Sequence, residues 1–381
     1  MKGFSKRLEE VQEYYFSKKL KEVHTLKAAG KPILNMGIGS PDLPPHAKVV
    51  KAICQAAINP EGHGYQGYQG IPRLRESFSD FYKEHYGVNL NPEGEVLPLL
   101  GSKEGIMHIS MAFLDAGDQV LVPNPGYPTY SSVCKLLQVE PIYFDLVENQ
   151  NWEPDFGALS KMDLSKVKLM WVNYPNMPTG AKASKALFGK LVEFGKKNDI
   201  IIVHDNPYSF ILEEKPLSIF AVEGAMDVAL ELNSLSKTAN MAGWRVGMVG
   251  GKKDWIQAIT KVKSNMDSGM FLGIQEGAIA ALNLKDDWYA ELNKEYRKRR
   301  NLVWKLAGKL GLSYDKSAVG MFVWAKLPEQ MSDLDLVDKL LYEKSIFITP
   351  GRIFGSKGEG YVRFSLCVTT ELIQEAIDRI T

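Results

Sequence analysis

Ser234-Leu235-Ser236-Lys237-Thr238, followed closely by Gly243-Trp244-Arg245, gathers an amine, several hydroxyls and a guanidinium into one short run. A lysine forms a Schiff base with an aldehyde, and hydroxyls together with an arginine hold a phosphate. A molecule that carries both groups is pyridoxal phosphate (PLP). The same run also suits an exposed lysine in a Ser/Gly-rich loop, so its meaning depends on its surroundings.

Those surroundings alternate between strand and helix patterns. Short apolar runs at 96–100, 119–122, 141–144, 167–172, 200–204, 228–232 and 246–249 are separated by helical patterns such as 103–114, 130–137 and 185–197. Near-continuous apolar strands of this kind indicate an α/β fold with a mostly parallel sheet flanked by helices. After residue 252, helical patterns at 252–283 and 286–311 lead into alternating runs at 321–327, 345–349 and 361–366, which read as a smaller α+β domain. Residues 6–29 form an amphipathic helical pattern stopped by Gly30-Lys31-Pro32, and 36–45 read as a loop returning towards the site. The expected division is an N-terminal helix and loop (1–45) packing on the small domain, a large α/β domain (46–283) and a small C-terminal domain (284–381).

At 381 residues the chain is too long for one simple core. Its 46 basic and 45 acidic residues leave a net charge of +1, and no long-range field points to nucleic acid or an anionic membrane. Cys54, Cys134 and Cys367 are odd in number and far apart, which suits buried, inert thiols in a reducing compartment. The charged start lacks a secretory core, no run is apolar enough to span a membrane, and a cytoplasmic protein is expected. The six histidines show no metal spacing, and no GxGxxG opens a helix after a first strand, which disfavours a nicotinamide dehydrogenase.

In open α/β sheets ligands lie beyond the carboxyl ends of the strands, and chemistry-bearing residues recur there. Gly101-Ser102-Lys103-Glu104-Gly105 opens a helix whose N–H groups and positive terminus suit an anion, although a plain cap has the same pattern. Asp205-Asn206-Pro207-Tyr208 closes another strand, where a carboxylate can pair with a protonated ring nitrogen and a phenol can reach a ring oxygen. Tyr127, in Pro123-Asn124-Pro125-Gly126-Tyr127-Pro128, can lie flat on an aromatic ring. Asn173 to Gly180 reads as a rigid turn with two prolines beside the same face. Arg245 suits a phosphate, and Arg363, inside an apolar strand, reads either as a clamp on a substrate carboxylate or as an edge-strand residue facing water.

With these strings assembled, the chain resembles the fold-type I PLP-dependent aminotransferases of classes I and II over nearly its whole length. MGIGSPDLP, GYQGYQGIPRLRESF, GSKEG, VPNPGYPTY, NYPNMPTG, HDNPYS, SLSKTANMAGWRVG, TPGRIFG and YVRFSL occur in that order. Within the group it looks most like diaminopimelate and aspartate-type members. The resemblance implies that Lys237 carries PLP and moves the substrate proton, that Asp205 keeps the pyridine nitrogen protonated, and that Tyr208 bonds O3′ while Tyr127 stacks on the ring. It implies a phosphate site made by Ser102, Lys103, Ser234, Ser236 and Arg245, with Tyr65 arriving from a second subunit of a homodimer. Gly39 and Arg363 would receive the α-carboxylate.

Two positions depart from the pattern. Met177 stands where the family has an asparagine beside O3′, so either Asn176 shifts into reach or Tyr208 bonds O3′ alone, with an altered cofactor spectrum or pKa. Arg352 stands where small residues are common; it and Lys103 favour an acidic or diaminopimelate-like substrate, while Tyr15, Ile38 and Met177 favour a neutral or aromatic one. The expected reaction is ping-pong transfer of an amino group from an L-amino acid to a 2-oxo acid. A C–S β-lyase uses the same lysine and aspartate and stays as the alternative. A PLP-binding regulator would need a DNA-binding module for which the segment before the first loop leaves little room.

Overall fold

The seven apolar runs pair into one sheet: β1 Val96–Leu99, β2 Gln119–Asn124, β3 Glu140–Asp145, β4 Val167–Val172, β5 Ile201–Asn206, β6 Ala229–Ser234 and β7 Gly247–Gly250. The computed structural model describes residues 4–8 and 15–380. In space the order is β1-β7-β6-β5-β4-β2-β3, and β7 alone runs against its neighbours. Alternate side chains enter two separate cores, which is why the strands read as unbroken apolar runs. Leu169, Trp171, Val203, Leu230, Leu232 and Val249 face a core with Ile106, Ile109, Tyr130, Val133, Ile256 and Ile259. Met170, Val172, Ile202 and Ala229 face the other with Leu187, Phe188 and Leu191. Buried polar groups are matched locally: Glu231 accepts from the Tyr82 hydroxyl (2.7 Å) and the Ile219 amide (2.9 Å), and its Oε2 lies 2.7 Å from His204 Nδ1.

A second, antiparallel sheet holds β8 Ser313–Tyr314, β9 Phe322–Lys326, β10 Thr349–Pro350 and β11 Tyr361–Ser365, in the order β10-β11-β9-β8. Arg363 lies in its interior, opposite both Trp324 and Thr349, which rules out an edge strand facing water. The segment after the first long helix is sutured to this sheet: Leu34–Asn35 pairs in parallel with Ile346–Phe347, and the Ser365 amide donates to the Met36 carbonyl (2.7 Å). Arg299 then pins the loop that follows. Its guanidinium grips both Asp42 oxygens (2.7 and 3.0 Å), Glu295 (3.1 Å) and the Leu366 carbonyl (3.0 Å).

Two readings change, and a third reaches beyond the described residues. The pattern at 252–283 is two helices, Lys253–Lys263 and Leu272–Leu282, because Asp267 turns the chain by bonding both Lys263 Nζ (2.6 Å) and the Gly269 amide (2.8 Å). The first helix is described from Tyr15 to Ala28; residues 9–14 of the expected span lie outside the described residues. Cys54 is exposed, on the solvent side of its helix, whereas Cys134 and Cys367 are buried. Among the described residues no helix is long and apolar enough to cross a membrane.

Arg299→Met should lower unfolding free energy by about 2–4 kcal/mol, short of the full cost of breaking a buried pair because Asp42 is partly exposed. Urea unfolding with an unchanged slope would register this as a lower midpoint.

Candidate active site

The carboxyl ends of β1, β2, β4, β5 and β6 converge on one cavity of about 340 Å³, with the small sheet closing its far side. Ser102, Lys103, Tyr127, Asp205, Tyr208, Ser234, Ser236, Lys237, Arg245, Gly39 and Arg363 all line it, so eleven of the candidate residues meet in one place.

Lys237 sits in the single-turn helix Leu235–Thr238, which starts where β6 stops because the Ser234 hydroxyl accepts the Ser236 amide (3.2 Å). Its amine donates to the Gly39 carbonyl at 2.5 Å. Burial holds this lysine below its ordinary range; the Arg363 and Arg245 charges act in the same direction, against nearby Cys367. A lowered pKa enlarges the share of the free-base form, which is the nucleophilic one.

Asp205 is buried inside the carboxyl end of β5. Oδ2 accepts from the Tyr130 hydroxyl (2.8 Å), and Tyr130 in turn stacks on Trp171 (4.9 Å between ring centres, 7° between planes). Oδ1 is buried with no partner among the described residues. A buried carboxylate oxygen without a donor is costly, and one aimed into a cavity fits the protonated nitrogen of a pyridine ring.

At the other end of the ring site, Arg245 lies in the left-handed region (φ +57°), where its Nη1 donates to the Ala242 carbonyl (2.8 Å) and the Ser236 hydroxyl (3.3 Å). Gly101 (φ +89°) precedes the helix Ser102–Phe113, and any side chain there would collide with the Arg245 guanidinium. The helix start has no side-chain cap, so arginine, hydroxyls and a positive helix terminus meet as a phosphate cradle. Residues and cofactor are therefore compatible at both ends.

Arg363 closes the opposite wall. Nη2 donates to the Gly37 carbonyl (2.8 Å), Nη1 lies 3.3 Å from Met177 Sδ, and the guanidinium stacks near Phe322 and Phe354. Burial raises the pKa of the Tyr208 phenol, keeping it a donor at neutral pH.

Three candidates lie elsewhere, and a fourth has its side chain outside the described residues. Asn176 is spent on its own turn: Oδ1 accepts the Thr179 amide and hydroxyl (3.3 and 2.8 Å), and Nδ2 donates to the Asn173 carbonyl (3.2 Å). Met177 faces the cavity in its place. Arg352 does not line the cavity, because the fully buried Asp333 holds its Nη2 and Nε (2.6 and 2.9 Å), with Glu359 at 3.1 Å. Tyr65 is 94% exposed and remote from this chain's own cavity lining. The side chain of Tyr15 lies outside the described residues. Residues not anticipated are Tyr130, hidden in a helical pattern, Asn173, whose Nδ2 donates to the Asp205 carbonyl (2.6 Å), and Leu20, Phe322 and Phe354, which carry no signal beyond apolarity. Tyr130, Asn173 and Phe354 all stood in quoted strings, but none was given a role there.

A mostly parallel sheet ending in a lysine, a carboxylate with one unpartnered oxygen and a phosphate cradle defines a PLP-dependent enzyme of fold type I. The chain belongs to the aminotransferases of class I and II, whose family model matches residues 31–380. It is 39% identical over 378 residues to an LL-diaminopimelate aminotransferase of Dehalococcoides mccartyi, covering 99% of this chain and 97% of that one. With the Aquifex aeolicus enzyme of the same name it shares 40% over 379 residues, 99% and 98% of the two chains. Among solved structures, substrate-bound BacF from Bacillus subtilis superposes with a TM-score of 0.95 at 36% identity, covering 100% of this chain and 97% of that one. An aminotransferase from Staphylococcus aureus gives 0.90 at 33%, covering 99% and 98%. The protein is a PLP-dependent aminotransferase.

Burial pushes the Asp205 carboxyl up to about 6 in the ligand-free protein, with the Tyr130 bond and nearby His204 opposing. The folded state then holds this proton more tightly than the unfolded chain, so stability falls as pH rises from about 4 through 6. Relative to the parent, ligand-free Asp205→Asn should gain roughly 2–3 kcal/mol between pH 4 and pH 7.5. Urea unfolding at both values measures it, and a constant difference between the two proteins would remove Asp205 from the account.

Proposed function

We propose that Lys237, Asp205 and Tyr208 are the catalytic residues of this aminotransferase, and that the other cavity residues hold its cofactor and substrate. The observation that carries the reading is the partnerless Asp205 Oδ1 in the same cavity as the depressed Lys237 amine and the Arg245 cradle. Bound PLP supplies an electron sink for charge that develops at the substrate Cα.

Lys237 would hold the cofactor's aldehyde carbon, and its amine would carry the proton between Cα and C4′. Asp205 holds the proton on the ring nitrogen. Tyr208 donates to O3′ with no second donor from Asn176, and Tyr127 lies against the ring. Ser102, Lys103, Ser234, Ser236 and Arg245 bind the phosphate. Arg363 takes the α-carboxylate in a bidentate grip, giving up a weak thioether contact for a charged one, with the Gly39 backbone beside it. The lyase alternative gains no support from any of these contacts.

The working unit in this reading is a homodimer. Ile58, Tyr65, Tyr68, Met266 and Phe271 are exposed around one region, where Phe271 stacks on His63 (6.0 Å). Such a patch suits a second copy whose Tyr65 reaches the phosphate. Free thiols, including exposed Cys54, suit the cytoplasm.

Lys237→Ala should abolish the visible chromophore of the purified protein and lower kcat by at least roughly 10³-fold. Tyr65→Phe should weaken PLP binding about tenfold without changing the chromophore. An intact chromophore in Lys237→Ala would sink the central assignment.

A further inference from the structure

The cavity has two chemically different ends. Ser102, Ser236 and Arg245 form one. At the other, the Arg363 guanidinium lies 4.0 Å from the centre of the Phe322 ring and 4.7 Å from that of Phe354, with Met177 Sδ beside Nη1. Leu20 and Ile38 line the same cavity. Resting on the assignment of Arg363 to the α-carboxylate, we infer that the amino-acid substrate carries an apolar side chain, aromatic or long aliphatic. Leu20, Ile38, Met177, Phe322 and Phe354 receive it.

Charge placement carries this inference. Among the described residues lining the cavity, Asp205 is the sole carboxylate, and it is committed to Tyr130 and the ring nitrogen. A distal ammonium, as on a diamino acid, therefore meets no counter-charge among the described residues of this chain. Among the lining cations, Lys237 serves the reacting carbon, Arg245 the phosphate and Arg363 the α-carboxylate. Arg352, the expected reader of a second carboxylate, is held by Asp333 and Glu359 outside the cavity. A distal carboxylate is left with Lys103, in the first turn of the helix at the phosphate end. Against the aromatic and thioether wall an ionised group would lose hydration without a partner.

The wall is also fixed in shape. The Phe322 ring presses on Gly39 so closely that any side chain there would collide with it, and it meets Tyr208 edge-on at 5.9 Å. Met177 is the adaptable element, an unbranched thioether that can move to fit an aromatic or aliphatic group.

The test uses the PLP-loaded protein. It is titrated with two unreactive acids, 3-phenylpropionate and glutarate. Its half-reaction with L-phenylalanine, L-methionine, L-leucine, L-aspartate, L-glutamate and LL-diaminopimelate is followed by cofactor absorption. The expected result is at least roughly tenfold tighter binding of 3-phenylpropionate, and kcat/KM for the apolar amino acids ahead by roughly 10–200-fold. Leu20→Arg should move the phenylalanine-to-glutamate ratio by at least roughly tenfold towards glutamate, through KM. A lead for aspartate, glutamate or diaminopimelate overturns the inference and leaves amino transfer standing. Tight 3-phenylpropionate binding with no half-reaction would support the apolar wall while striking at the role of Lys237.

Discussion

Asp205 is a carboxylate that the fold buries and then only half satisfies. One oxygen takes the Tyr130 hydroxyl, and the other has no partner among the described residues. Everything around it is arranged to keep it there: Tyr130 is stacked on Trp171, and Asn173 ties the Asp205 backbone carbonyl to the neighbouring strand end. A buried charge with one open face is unfavourable unless a cationic group fills that face. The protonated ring nitrogen of PLP is such a group, and in the proposed reading its pairing with Asp205 would set the cofactor's orientation.

Orientation by Asp205 would mean little without a fixed second wall. The large sheet supplies Lys237 and the phosphate cradle, while Arg363 comes from the small antiparallel sheet. What joins the two is the segment 34–42, which pairs with Ile346–Phe347, gives its Gly37 carbonyl to Arg363 and is pinned through Asp42 by Arg299. Lys237 donates to Gly39 in this segment, so the reactive amine touches the strap that aligns the carboxylate clamp.

The two ends of the cavity also differ in what they tolerate. The phosphate end is built from backbone geometry, a positive-φ arginine and a glycine that must stay bare. The carboxylate end is built from side-chain packing on Phe322, Phe354 and Met177. Backbone-made sites resist change, whereas packed walls admit substitution of similar volume. Met177 stands in a turn whose amide hydrogen bond to Asn173 Oδ1 (2.7 Å) holds whatever residue stands there.

All seven strands of the large sheet and the positions of Lys237, Asp205, Tyr208 and Arg245 were legible because period, turn residues and strand ends are local properties. By itself the sequence determined the α/β class, the strand-end placement of the chemistry and the family. Side-chain partnership was not legible, because it depends on residues far apart along the chain. Arg352 carries a charge that reads as available until Asp333 is found buried beneath it, and Asn176 an amide that reads as shiftable until Thr179 takes it. Tyr130, Leu20, Phe322 and Phe354 look like ordinary core residues until the two sheets meet. Only the tertiary structure decided which polar atoms were already satisfied and which face of the cavity was apolar, since desolvation and hydrogen-bond pairing are settled by three-dimensional neighbours.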